Sequence, residues 1–436
     1  MFKELKATRT DQGDAFFSHR ITILVAGTLA FHTVLRGFIT LNGYPASQFL
    51  LNYDFGFCKR ALLGELIRKI DQAILYDYSF FFWFSVGIFL LVITLLFQHV
   101  RKLTQSQSAP LQGAALVFCS SLGIAQLSSS IGYPDLIILL VSLAILRVER
   151  FFVRQALIAT LFAATLLIHE AGVLLYFPVL MFRSLLDLSR LKIRPYHIAC
   201  FCIVCLEIIL IEFILSTSPL STESALSLYH ELKAKADYPV WMAVVWPLHL
   251  SAYENTHVMK FFLSLEGFKR SILISTVCTA PTLAYLNYQS DCLLKHAHQS
   301  RTLRLAALSA GLLPLSMHFI GLDFWRWNAA ATMASLLVLS TVFSSQSQVS
   351  TANWRTDKSV YLAAILVLSN LAVSIPLENS SAARLPYPRL LSHTAKVFDG
   401  ELPFPEKPEP LTFGSCKAVA KLQDIVDPRL IECTED

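Results

Sequence analysis

His169 and Glu170 stand side by side in the middle of residues 152–183, a stretch that is otherwise largely apolar. An imidazole and a carboxylate are the side chains whose proton affinity a half-buried site can tune for general acid/base work, and both can ligate a metal. An ionisable group inside an apolar run costs at least about 2.5–3.5 kcal/mol on insertion scales, so the pair needs a reason. It is not the H-E-x-x-H metalloprotease motif, because Val173 stands where the second histidine would be.

Three other groups share this character. Asp54 opens a segment in which Lys59 and Arg60 follow five and six residues later; two cations beside a carboxylate could hold an anionic phosphate. Asp135 follows Pro134 at the start of an apolar run. Asp323 and Arg326 are spaced i, i+3 in the aromatic string D-F-W-R-W, which suits a local ion pair, with Arg326 able to grip a phosphate or diphosphate. Each also has a structural role open to it. Asp54 could cap a helix, Asp135 could complement a helix dipole, His169 could bond a carbonyl at a helix break, and Asp323–Arg326 could anchor an interfacial turn.

The elements that must carry these residues follow from composition. Of 436 residues, 54% are hydrophobic and 15% charged, against about a quarter charged in soluble proteins. With a mean hydropathy of +0.54, this predicts an all-α, polytopic integral membrane protein and excludes soluble-enzyme, disordered and coiled-coil classes. A net charge of +5 is too mild for a nucleic-acid partner. Apolar runs predict about eleven transmembrane helices, near 21–42, 79–100, 112–131, 134–148, 152–168, 171–183, 196–216, 268–288, 304–320, 328–344 and 359–375. His169–Glu170 then forms a polar bend between two short helices. Residues 237–250, short and with two prolines, are read as re-entrant or interfacial within a long outer loop, 217–267.

Orientation comes from the cations. With residues 1–20 in the cytoplasm, 18 Lys and Arg fall in short inner segments, from Lys3 to Lys358, while the short outer turns hold only Arg326. The transmembrane domain, 21–375, is then followed by an external Pro-rich tail, 376–436, where Cys416 and Cys433 could pair in an oxidising compartment. Cys200, Cys202 and Cys205 lie in an apolar run and read as packing residues. In the first outer loop, 43–78, Leu62, Leu66, Ile70 and Ile74 recur every four residues opposite Lys59, Arg60, Arg68, Lys69 and Asp71. That is an interfacial amphipathic helix. Asp54, Asp135, His169–Glu170 and Asp323–Arg326 all reach the same outer face.

This layout resembles the GT-C superfamily of multi-spanning glycosyltransferases, in which an essential acid lies in the first outer loop and further acids in the second. Asp54 and Asp135 stand at the matching positions. The strings D-F-G-F-x-K-R, P-D-L, I-H-E and D-F-W-R-W are also similar to those of a group of uncharacterised bacterial membrane proteins placed in surface-glycan synthesis. The resemblance covers the first two-thirds of the chain. It implies residence in a bacterial inner membrane and transfer of a sugar from a polyprenyl-phosphate carrier to a glycan or lipid acceptor outside.

Asp54 is the expected base, with Glu170 or His169 second; Lys59, Arg60 and Arg326 are expected on the phosphate. Where a divalent cation (Mg or Mn) serves, Asp54, Asp135 and Glu170 would hold it, although the first loop lacks the paired acids of metal-dependent relatives. Three alternatives stay open: an O-antigen-type polymerase or ligase, a lipid-linked glycan flippase or transporter, and a membrane-bound O-acyltransferase.

Overall fold

A computed structural model describes residues 2–37, 43–106, 108–190, 194–217, 219–264, 266–321, 323–345 and 357–373, together with 376–377, 380–381, 413–415 and 433–434 of the tail. The described body is all helical. Four strands of two or three residues occur in the tail, whose remaining residues, Cys416 included, lie outside the description.

Every predicted apolar run is helical for most of its length, but eleven spans is not what they build. Four helices are long and apolar enough to cross a membrane: Tyr78–Thr104, Ala109–Ser129, Pro195–Thr217 and Phe324–Ser345. The others fail on length or on polarity. Asp135–Leu146 has 12 residues, about 18 Å of helix against a hydrocarbon layer of about 30 Å. The run from Phe151 to Leu166 is loosened by a π-helical turn at Ile158–Phe162 and stops before His169. Arg301–Leu312 gives way to a 3-10 segment, Leu313–Phe319, at Pro314. Glu266–His296 is long but carries a proline, Pro281, and charged ends. At the amino end one helix runs through Phe2–Gly37, so residues 2–20 continue the first helix and are not a separate loop.

The long helices divide by position. Phe324–Ser345 runs through the middle of the molecule, packed against Glu266–His296, Leu122–Ser129, Arg301–Leu312, Phe177–Leu188 and Tyr78–Thr104. Small and hydroxyl side chains make that close packing possible. Asn328 donates to Ser275 at 3.0 Å, Asn287 donates to Ser335 at 2.8 Å, and His99 meets Ser340 at 2.6 Å. Such polar pairs replace the hydrophobic driving force that is missing between helices in lipid. Pro195–Thr217 is peripheral, with Ile203, Leu206, Ile209 and Phe213 exposed on its outer side. A contiguous apolar face of this kind is what lipid covers.

Charge separates along the central helix. Arg326 lies at its start, while Arg190 donates to the Ser345 carbonyl at its end, about 30 Å away for 22 residues. Arg154 and Arg183 share Asp187 on the element that leads to Arg190. The segment 237–250 forms a 3-10 turn, Met242–Val244, and a four-residue helix, Trp246–His249, too short to span.

Candidate functional site: a charged cluster where four segments meet

The loop 43–78 supplies one wall. Leu62–Ile70 is helical, and the amphipathic pattern breaks at Asp71, which caps a second short helix, Gln72–Leu75. The stripe residues Leu66 and Ile70 face outward, Ile70 at 83% exposure, while Glu65 and Ile67 face in. Just before the helix, Arg60 adopts a left-handed backbone, φ 69°, a conformation that costs a side-chain-bearing residue about 1–3 kcal/mol. Two residues on, the Leu62 amide donates to the Leu167 carbonyl at 3.3 Å. This bond stitches the loop to the His169–Glu170 bend.

Across that seam the Arg60 guanidinium clasps Glu170. Nε donates to both carboxylate oxygens, at 2.8 and 3.1 Å, and Nη2 donates at 2.5 Å. Burial alone would raise the Glu170 carboxyl; Arg60, helped by Lys59, outweighs it and holds the group well below the ordinary carboxylate range. Burial likewise opposes the charge on Arg60, and Glu170 more than restores it. Glu170 is therefore a fixed anion and a poor proton acceptor.

His169 is buried at the helix break. Its Nδ1 accepts from the Ala171 amide at 3.1 Å, which leaves the ring proton on Nε2. Nε2 faces Asp135 Oδ1 at 3.7 Å, too far for a hydrogen bond. Burial, reinforced by Arg60, pushes the imidazole down to about 4, so it is neutral at physiological pH.

Asp135 begins the helix Asp135–Leu146, and its two oxygens differ. Oδ2 accepts from Arg326 Nε at 3.0 Å and from Nη2 at 2.7 Å. Oδ1 is buried with no hydrogen-bond partner. Arg326 also bonds Asp323 through Nη1, and its guanidinium carbon lies 3.8 Å from the centre of the Tyr133 ring. A cavity of about 20 Å³ beside Asp135, Tyr133, Tyr176 and Arg326 is water-sized.

Of the residues singled out in the sequence, Asp135, His169, Glu170, Arg60, Asp323 and Arg326 are thus brought together. Asp54 is not among them. Its carboxylate is 32% exposed and paired with Arg68 at 2.9 Å, and neither Lys59 nor Arg60 touches it. Arg68, also bonded to Glu65, takes the place expected of those two cations because one helical turn aligns it with the loop.

Arg60 and Arg326 are likewise committed to carboxylates rather than open to a phosphate. Lys59 differs from both. It is only 7% exposed, has no hydrogen bond or ion pair among the described residues, and feels Glu170 and Glu212 only at a distance; burial lowers its ammonium. The expected metal set does not assemble either. Arg60 holds Glu170, Arg68 holds Asp54, and no group of three or more His, Cys, Asp or Glu among the described residues could hold an ion.

Tyr133 and Leu167 were not foreseen in the sequence. Tyr133 precedes Pro134–Asp135 and so shares the turn that delivers Asp135, which is a readable signal; the Leu167 carbonyl has none. Comparison with known proteins adds no relative: no family model, curated protein or solved structure matches the chain.

Proposed function

We infer that the protein is an integral membrane glycosyltransferase that takes a sugar from a polyprenyl-phosphate carrier at the outer membrane face, in surface polysaccharide or glycoconjugate synthesis. One observation supports this reading: four segments far apart in sequence meet in a cluster where Asp135 Oδ1 and the buried Lys59 ammonium are left without a hydrogen-bond partner. A structural network would pair both, because an unsatisfied buried polar group costs about 1–3 kcal/mol.

The chemistry of transfer needs those two groups. As the acceptor hydroxyl attacks the anomeric carbon, its oxygen forms the new glycosidic bond and its proton passes to Asp135 Oδ1. The bond from the anomeric carbon to the carrier phosphate breaks, and the phosphate leaves with the electron pair, facing Lys59. Arg326 aims Asp135 by holding its other oxygen. Arg60 and Glu170 fix the wall from which Lys59 projects. The neutral His169 keeps an N–H directed at the same carboxylate. The amino end lies in the cytoplasm and the cluster outside, in keeping with the charge separation along Phe324–Ser345.

The purified chain in liposomes, given a labelled sugar on a polyprenyl-phosphate carrier, is expected to move the label onto a glycan or lipid acceptor. Movement of the intact carrier-linked sugar across the bilayer with no new glycosidic bond would overturn the reading in favour of a flippase. Chain growth from oligosaccharide donors would favour a polymerase of O-antigen type.

A further inference from the structure

A second cavity lies away from this cluster. Between the end of Glu266–His296 and the start of Arg301–Leu312 there is a cavity of about 280 Å³, at the end of the molecule proposed above to face the cytoplasm. Asn287, Asp291, Arg301, Arg304, Leu305 and Leu308 are among its lining residues. Asp291 is shared by Lys295 at 2.7 Å and by Arg304 Nε at 2.5 Å. That leaves the terminal nitrogens of Arg304 uncommitted. Arg301 is exposed and has no partner among the described residues. One acid among three cations gives the rim a surplus of two positive charges.

The wall and the outer flank complete the pattern. Asn287 is 7% exposed; its Nδ2 is used by Leu283 and Ser335, and its Oδ1 is buried with no partner. Gly311 makes room for it, since a Cβ there would lie 2.5 Å from that oxygen. On the same helix Leu305 and Leu308, one turn beyond Arg301 and Arg304, are 53% and 43% exposed. A cationic rim and an adjoining apolar strip match an amphiphile with an anionic phosphate head. A soluble anion would use the arginines and leave the leucines bare.

We propose that this cavity binds the phosphodiester headgroup of an anionic lipid, with the phosphate on Arg301 and Arg304 and an acyl chain along Leu305 and Leu308. The site is independent of sugar transfer, and its test does not use transfer.

The full chain, purified in a neutral detergent, is titrated separately with phosphatidylglycerol, phosphatidylcholine and sodium phosphate. Native mass spectrometry reads bound lipid, and thermal unfolding reads stabilisation. Phosphatidylglycerol is expected to bind at least about tenfold more tightly than phosphatidylcholine, and Arg301→Gln to weaken it by about tenfold, the scale of one charged hydrogen bond. Arg301 makes no hydrogen bond or ion pair among the described residues and is exposed, so its replacement leaves folding intact; Arg304→Gln gives a second reading. Equal binding of the two lipids, or full retention of phosphatidylglycerol by both variants, overturns the proposal. Sodium phosphate binding as tightly as the lipid would overturn the amphiphile and leave a free-anion site.

Discussion

Arg60 and Glu170, 110 residues apart in sequence, are joined through two guanidinium nitrogens and both carboxylate oxygens. The pair fastens the loop 43–78 to the bend between two short helices, and the Leu62–Leu167 backbone bond lies beside it. Because Arg60 holds a left-handed backbone to make this contact, the contact must outweigh a local penalty of about 1–3 kcal/mol.

A double-mutant cycle measures that contact. Arg60→Ala strands a largely buried carboxylate and is expected to cost about 3–5 kcal/mol; Glu170→Ala strands the guanidinium at a similar cost. The double variant should lose much less than the sum, giving a coupling of about 1–3 kcal/mol in reversible unfolding. Additive losses would mean that the two side chains do not depend on each other.

Acid should loosen the same corner. Between pH about 6.5 and about 4 the folded protein keeps His169 neutral while the unfolded chain protonates it. The stability associated with that group is therefore complete above pH 6.5 and declines as pH falls toward 4, by up to about 1.4 kcal/mol per pH unit. Glu170, depressed in the folded state, adds a further loss only below its unfolded value near 4.5. The His169 contribution to the unfolding midpoint is expected to be level from pH 8 to 7 and to fall from 6 to 5. His169→Gln should flatten the upper part of that fall, and parallel profiles for the two proteins would remove the imidazole as its origin.

The outer-loop helix gives a packing test. A Cβ on Gly64 would lie 2.2 Å from the Leu51 carbonyl oxygen and 2.5 Å from that of Phe49, so backbone must move. Gly87, in Tyr78–Thr104, has nothing within 4 Å of the same position. Gly64→Ala is expected to destabilise by about 1–3 kcal/mol and Gly87→Ala to stabilise by up to about 1 kcal/mol. Equal midpoints for the two variants would show that the loop does not press on Gly64.

Much of this arrangement is legible in the residues. Polar side chains in apolar runs mark Asp135, His169–Glu170 and Asp323–Arg326 because burying charge is costly, and all of them join one cluster. The i, i+3 spacing of Asp323 and Arg326 gives their ion pair directly. Spacing says nothing of a partner 191 residues away, so the Arg326–Asp135 bond is not readable. Local proximity misleads at Asp54. Lys59 and Arg60 are near in sequence, but the chain turns left-handed at Arg60 and sends it to Glu170, while a helical turn brings Arg68 to Asp54. The span count is misread for a related reason. Hydropathy measures how apolar a run is, but prolines, a π turn and the 169–170 bend decide how far a helix continues.

Sidedness is open to direct measurement. Reporters fused after residues 110, 190 and 300 are expected to read cytoplasmic, and those near 60 and 325 external. Opposite readings at 60 and 325 would be incompatible with a cluster that joins Arg60 to Glu170 and Arg326 to Asp135 on one face.

The two candidate bases can be separated by isosteric change. Asp54→Asn removes a charge from an exposed ion pair with Arg68, worth about 0–1 kcal/mol, and is expected to leave sugar transfer within a few-fold of wild type. Asp135→Asn keeps the shape of the side chain and an oxygen for Arg326, but its amide takes no proton from an acceptor hydroxyl. A loss of about 10²–10⁴ in turnover is expected, the usual scale for a missing general base. Lys59→Ala should act differently, raising KM for the carrier-linked donor, because a buried ammonium with no internal partner can meet the phosphate in the ground state. Transfer assays on the three variants in liposomes, each checked for insertion and midpoint, distinguish these roles. If Asp54→Asn abolishes transfer while Asp135→Asn keeps it, the reacting centre lies at the Asp54–Arg68 pair and the buried cluster is a fastening between the outer loop and the helices.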